Sequence, residues 1–304
     1  MKYKKKPSWL RMPGRGSTEA ARIRRILGKY SLQTVCRQAG CPNLGRCFQS
    51  GTATFLIMGK ICTRNCFYCA IEGGGTNLPP PDPEEPARVA SAAKEMDLEF
   101  VVVTSVTRDD LPDGGASHFA LTVEALKKAI DGVMVEVLTP DFRGNPASLE
   151  IVVSSGPHVF NHNLETVERL FGDIRPDANY RRSLAVLELY GKLSPRTPLK
   201  SGLMLGLGET KEEVSKALYD LRSVGVTMLT LGQYLQPSTK HRAVTRYLHP
   251  SEFDEWREMA LGMGFEAVSS GPLVRSSFHA MEDYSTVFPD KNDDIAISKN
   301  GNGE

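Results

Sequence analysis

The residues of this 304-residue chain best equipped for chemistry are its six cysteines, all of which fall between Cys36 and Cys69. They form two groups of three, Cys36-x4-Cys41-x5-Cys47 and Cys62-x3-Cys66-x2-Cys69. Thiolates bind zinc and iron–sulfur clusters well, and a closed site of either kind normally takes four ligands. No fourth cysteine and no suitably spaced histidine follows Cys69. Three thiolates on a [4Fe–4S] cluster leave one iron with an open position, where a small chelating molecule can bind and be reduced. On spacing alone, zinc or inert core cysteines remain the alternative. Disulfides are the poorer reading, because the cytosol keeps thiols reduced.

The x3–x2 spacing, with Tyr68 just before the last cysteine, resembles the motif of the radical S-adenosylmethionine (SAM) enzymes. In that superfamily the open iron binds the methionine amine and carboxylate of SAM, and electron transfer cleaves SAM to a 5′-deoxyadenosyl radical. The first group resembles the auxiliary-cluster motif of the lipoyl synthase family. The likeness continues through Gly51-Thr-Ala-Thr-Phe55, Thr104-Ser-Val-Thr-Arg-Asp-Asp-Leu-Pro-Asp-Gly-Gly115 and Phe160-Asn-His-Asn-Leu-Glu-Thr166. It extends to Lys200-Ser-Gly-Leu-Met-Leu-Gly-Leu-Gly-Glu-Thr210, Gly232-Gln-Tyr-Leu-Gln-Pro237 and Gly271-Pro-Leu-Val-Arg-Ser-Ser277.

The resemblance implies two [4Fe–4S] clusters and SAM as cofactors. Cys62, Cys66 and Cys69 would hold the SAM-binding cluster. Cys36, Cys41 and Cys47 would hold the auxiliary one, with a fourth ligand from a C-terminal serine. The family's Arg-Ser-Ser-Tyr-x-Ala pattern matches Arg275 to Ala280 and places that ligand at Ser277. A serine oxygen binds iron more weakly than thiolate, so it is where a cluster that gives up sulfur can open. The implied reaction inserts sulfur at C6 and C8 of an octanoyl chain on a lysine of a lipoyl carrier protein. Its further partners would be an electron donor such as flavodoxin or ferredoxin, and iron–sulfur assembly proteins. The rivals are another two-cluster radical SAM sulfur transferase, such as a methylthiotransferase, and a non-catalytic iron–sulfur or zinc scaffold. The chain departs from the family in having Phe278 for the usual Tyr, and Arg37, Gln38 and Arg46 around the first group where acidic residues are usual at one or more positions.

Something must hold these residues in place. Six short apolar runs read as strands: Thr54–Met58, Glu99–Thr104, Val133–Leu138, Val159–His162, Gly202–Leu205 and Val226–Leu231. Segments with helical spacing alternate with them: Glu85–Met96, Ser117–Ile130, Pro146–Ser154, Tyr180–Tyr190, Thr210–Ser223 and Ser251–Met263. A further helix is expected after Ser17, through about Tyr30. Strand–helix alternation predicts a parallel sheet covered by helices, and near-continuous apolar strands predict burial of both faces. A doubly wound sheet and a barrel both fit. Cys62 just after the first of these strands favours a partial (β/α)6 TIM-type barrel, whose sites lie at the strand C-termini. The expected organisation is a basic arm, helix and auxiliary-cluster loop over 1–50, and a core over 51–265. A segment at 266–280 would carry Ser277, and 281–304 would be a disordered tail.

Other candidates follow from position. Asn161, Asn163 and Glu165 close the fourth of these strands and are candidates to bind SAM, with helix capping as the plain alternative. Gly206 and Gly208 end the fifth and are expected to bring backbone close to SAM. Together with Tyr68 these are the candidate cofactor contacts. Arg108, Asp109, Asp110 and Asp113 follow the second strand and are expected to face the site. Gly73-Gly-Gly75 reads as loop punctuation, the histidines as structural, and Trp256, Met259 and Met263 as core packing.

Composition is ordinary, with 40% hydrophobic and 24% charged residues and a net charge of +1. No apolar run reaches the roughly 18 residues of a membrane span, and the basic N-terminus lacks the apolar core of a secretory signal. The cytoplasm is the expected location. No motif or basic–aromatic stripe points to nucleic acid.

Overall fold

The structure, a computed structural model, describes residues 5–10, 18–35, 52–278 and 280–288. The first cysteine group, Cys36, Cys41 and Cys47, lies outside the described residues, as do Ser17 and 289–304. Helix α1 (Thr18–Lys29) leads into a short strand, β1 (Gln33–Thr34). Seven longer or equal elements follow as β2 (Thr52–Ile57), β3 (Phe100–Ser105), β4 (Met134–Leu138), β5 (Val159–Asn161), β6 (Leu199–Leu205), β7 (Val226–Gln233) and β8 (Ala267–Gly271). The helices are α2 (Glu85–Glu95), α3 (Ala116–Ala129), α4 (Pro146–Ser154), α5 (Glu168–Ile174), α6 (Tyr180–Leu193), α7 (Lys211–Ser223), α8 (Pro250–Gly262) and α9 (Ala280–Val287).

Among the described residues, the eight strands form one sheet in chain order, with β1 antiparallel to β2 and every later pair parallel. A doubly wound sheet reverses its strand order at a switch point. This one never does, so successive crossovers keep their helices on one side and the sheet curls into an open barrel. The register brings Ile57 beside Ser105, Thr104 beside Leu138, and Leu138 beside Asn161, which gathers the strand C-termini at one rim.

Alternation along β3 separates the two faces. Val101 and Val103 join the large core beneath the helices. Phe100 and Val102 belong to a second apolar cluster with Val159, Met228, Ala267, Ala280 and Tyr284. These are mostly residues from strand N-termini, so α9 plugs the barrel interior at the end opposite the rim. The expected disorder of 281–304 is therefore corrected for 281–288. Ala280, Tyr284 and Phe288 recur at helical spacing, and the Tyr284 ring sits 6.2 Å from Phe100 and 4.9 Å from Phe288. That stripe is diluted by Glu282 and Asp283 when the tail is read as composition.

The expected elements otherwise match to within a few residues. The capping box forms as its residue types predict: Thr210 Oγ1 accepts from the Glu213 amide at 3.3 Å, and the Glu213 carboxylate accepts from the Thr210 amide at 2.9 Å. Helix α5 was not expected; seven residues are too few for a periodic signal. Met259 is corrected from core to surface, being 42% exposed, while Trp256 is buried.

Candidate active site

The second cysteine group lies on the loop after β2. Met58 and Gly59 adopt positive φ and turn the chain off the strand. The Cys62 amide donates to Glu72 O at 2.8 Å, and the Gly75 amide donates to Cys62 O at 2.9 Å, which closes the loop on itself. Gly73 and Gly75 do more than punctuate. A Cβ at Gly73 would collide with the Arg64 carbonyl, and one at Gly75 would meet Ile61 Cγ2 at 2.6 Å.

Arg64 pins this loop to the rim. Its Nε and Nη2 donate to Asp109 at 2.7 and 2.9 Å, and Nη2 donates to Asp141 at 2.6 Å. Asp141 also accepts from Arg182 Nε at 2.8 Å. Burial alone would raise the Asp141 carboxyl; the hydrogen bond and charge of Arg64, aided by Arg182, outweigh it and hold it well below the usual carboxylate range. A second clamp comes from the segment after β7, where His241 Nε2 sits 2.9 Å from Cys69 O and the Arg242 amide donates to Phe67 O at 2.8 Å.

The thiols suit a cluster. Cys62 Sγ accepts from the amides of Thr107 and Arg64 at 3.3 and 3.4 Å, the kind of contact that tunes sulfur bound to iron. Burial pushes the Cys66 thiol up to about 11 and the Cys69 thiol to about 12, and a metal bound there would take the place of each proton, since thiolate ligands must be deprotonated. Among the described residues, no three His, Cys, Asp or Glu side chains are grouped to hold a single metal ion. A cluster needs no such grouping, because each thiolate takes a different iron.

Beside the loop opens a cavity of about 530 Å³, within the usual span of small-molecule clefts. Tyr68, Cys69, Asn163, Glu165, Ser276 and Ser277 line it, with Leu56, Leu138, Met204 and Val274 supplying apolar wall. Glu165 holds φ at 71°, an uncommon backbone for a non-glycine residue, and it lines the cavity beside Asn163 and Tyr68. Burial raises its carboxyl despite the opposing charge of Arg175. Ser277 Oγ accepts from Thr54 Oγ1 at 2.7 Å.

Not every candidate reaches the cavity. Asn161 is fully buried one layer deeper, its Nδ2 donating to Glu136 Oε1 at 2.7 Å and to Ser276 Oγ at 2.9 Å. Gly206 and Gly208 do not line it. Their φ values of 101° and 111° make a turn on which the Glu209 carboxylate accepts from the Gly206 amide at 2.6 Å. The close approach that excludes a side chain at Gly206 is to Gln233 and the Arg246 carbonyl. Arg108 pairs with Asp110, Asp109 with Arg64, and Asp113 accepts from the Gly115 and Ser117 amides, so this run braces the rim.

Residues 56–221 match the profile of the Radical SAM superfamily. The chain is 53% identical over 276 residues to the lipoyl synthase of Caldanaerobacter subterraneus subsp. tengcongensis, covering 91% of this chain and 96% of that protein. It is 50% identical over 278 residues to the lipoyl synthase of Chlorobaculum tepidum, covering 91% and 94%. The chain belongs to the lipoyl synthase family.

Its cofactors are accordingly SAM and [4Fe–4S] clusters, and a non-catalytic scaffold is no longer a reading of this lipoyl synthase family member. Among solved structures, methylornithine synthase superposes with a TM-score of 0.54 at 14% identity, covering 82% of this chain and 81% of that one. The [FeFe]-hydrogenase maturase HydG gives 0.53 at 14% identity, covering 86% and 74%. At that identity the likeness is one of fold. Sequence reasoning missed Arg175 and Ser276. Arg175 is 7% exposed, donates to the carbonyls of Asn163 and Leu164 at 3.0 and 3.3 Å, and lies over the Phe171 ring. An arginine before a proline in a polar loop carries no signal of burial.

Proposed function

We propose that this cavity is where a protein-bound octanoyl-lysine receives sulfur at C6 and C8. The observation that carries the reading is that one cavity is lined by Cys69 and Ser277, which lie more than 200 residues apart in the sequence. When bound, a [4Fe–4S] cluster with SAM would supply the hydrogen-abstracting radical, and a second cluster the sulfur.

Cys62, Cys66 and Cys69 hold the first cluster, and Cys36, Cys41, Cys47 and Ser277 the second. Tyr68, Asn163 and Glu165 orient SAM; the Glu165 carboxylate is placed to accept from hydroxyls. The apolar wall of Leu56, Leu138, Met204 and Val274 takes the octanoyl chain and keeps water from the reacting carbons. Arg64 and its two aspartates keep the cysteine loop at the rim. The partners are an octanoylated lipoyl carrier protein, a flavodoxin- or ferredoxin-like reductant and iron–sulfur assembly proteins, in the cytoplasm. Among the described residues, no helix is long and apolar enough to cross a membrane.

The deciding experiment is anaerobic incubation of the reconstituted protein with SAM, a reductant and an octanoyl-lysyl carrier peptide, followed by mass spectrometry. Two sulfurs added per peptide support the reading. SAM cleavage with no sulfur-bearing product would move the substrate assignment elsewhere.

A further inference from the structure

Ser276, the neighbour of Ser277, has only one hydroxyl proton, and its partners dictate where that proton goes. Inside the barrel Lys200 and Glu136 are both fully buried and paired at 3.2 Å, and Lys200 also lies 3.7 Å from Asp283 of the plugging helix α9. Glu136 is an acceptor, so it turns the Asn161 amide nitrogen toward itself; the second hydrogen of that nitrogen then points at Ser276 Oγ, 2.9 Å away. Ser276 must therefore give its own proton onward, to Asn163 Oδ1 at 2.9 Å. Asn163 lines the cavity together with Glu165 and with Tyr68 of the cysteine loop, so the side chain that Ser276 orients is one that faces the cofactor site. Each link fixes the orientation of the next.

We propose that Ser276 is a positioning residue that couples the two cofactor sites. Its hydroxyl ties the turn carrying Ser277 to Asn163, which lines the cavity beside Glu165, so SAM is held productively only while that turn is seated. A buried ion pair is weak evidence of stabilisation, since desolvation offsets its attraction. Here it supplies direction: Glu136 sets the Asn161 amide, and the chain of donors ends at the SAM contacts. The consequence is that SAM cleavage is coupled to an intact turn at Ser277 and idle cleavage is suppressed. This deepens the proposed function and rests on its assignment of Ser277 and Glu165.

The test compares Ser276→Ala, Ser276→Thr and Ser277→Ala, each reconstituted anaerobically. Iron content, equilibrium SAM binding, and 5′-deoxyadenosine released per lipoyl group formed are the readouts. Ser276→Ala is expected to keep the wild-type iron content, to bind SAM about tenfold more weakly, as loss of one buried hydrogen bond implies, and to release excess 5′-deoxyadenosine. Ser276→Thr, which keeps the hydroxyl, restores both. Wild-type SAM affinity and wild-type stoichiometry in Ser276→Ala would overturn the coupling. Ser277→Ala separates this from failure of the underlying reading: if it retains all its iron, the ligand assignment is wrong whatever Ser276 does. Should Ser276→Ala load iron poorly, amide hydrogen exchange of the iron-free full-length protein decides. Faster exchange at 163–166 supports the tie, and unchanged exchange rejects it.

Discussion

Thr54 and Ser277 are joined by a hydrogen bond of 2.7 Å, the hydroxyl of the first long strand donating to the hydroxyl of the C-terminal turn. The strand of Thr54 separates the two cysteine groups in sequence, so the bond brings the distant serine to the strand that links them. Thr54→Val keeps the shape and removes the donor, which should loosen Ser277 at a cost of about 1 kcal/mol. The expected outcome is slower sulfur insertion and, because the same turn seats the SAM contacts through Ser276, more 5′-deoxyadenosine released per lipoyl group formed. Ser277→Ala is the stronger lesion and should lose about half the iron, one of two four-iron clusters. Iron analysis and product mass spectrometry check both.

Asp141 should make the stability of the protein depend on acid. Its carboxyl is held below the usual range in the folded state, against an unfolded value of about 3.9. A depressed pKa contributes stability that is present above the unfolded value and lost as pH falls through the folded one. The gap in urea stability between wild type and Asp141→Asn, measured on iron-free protein, should be large at pH 7 and narrow below about pH 4. At neutral pH the substitution leaves Arg64 buried with one partner fewer and should cost about 3–5 kcal/mol. A gap that widens in acid would contradict the assignment.

These residues also mark how far the sequence could be read. The six strands of the core were legible because Phe100–Thr104 and its counterparts are buried on both faces and so are continuous apolar runs. The cysteine loop was legible because its spacing is local. Ser277 was visible only through resemblance, since a serine pair near a chain end looks like any turn. Lys200 and Glu136 were illegible: they sit on different strands and meet only because the sheet curls, so nothing near either in sequence announces burial. Asn161 and Asn163 share a face, and only the depth of the cavity separates the one that supports from the one that lines.

Glu165 should govern SAM affinity rather than iron loading. Glu165→Gln removes the charge that the cavity presents to the hydroxyls of SAM, worth about 1.5–3 kcal/mol for a charged hydrogen bond, or roughly 10- to 150-fold in affinity. Glu165→Gly relieves the positive φ but removes the carboxylate, so it should gain no SAM affinity over the glutamine variant. Equilibrium binding beside iron analysis separates the roles. Iron loss in Glu165→Gln, with affinity unchanged per iron, would make the residue structural.

Gly206→Ala tests whether a glycine outside the cavity can disturb it. Its φ of 101° is strained for any side chain, at about 1–3 kcal/mol, and the new Cβ would strike Gln233 and the Arg246 carbonyl. The same region carries the clamp on the cysteine loop: the Thr245 amide donates to Gly206 O at 2.8 Å, and a few residues earlier Arg242 and His241 hold Phe67 and Cys69. Displacing that segment should loosen the loop. The variant should melt several degrees lower and load the SAM-binding cluster less completely, while a control such as Gly172→Ala, with open space at its Cβ, should do neither. If Gly206 instead acted by direct approach to SAM, the alanine would weaken SAM binding at full iron content and leave the melting temperature within a degree or so of wild type.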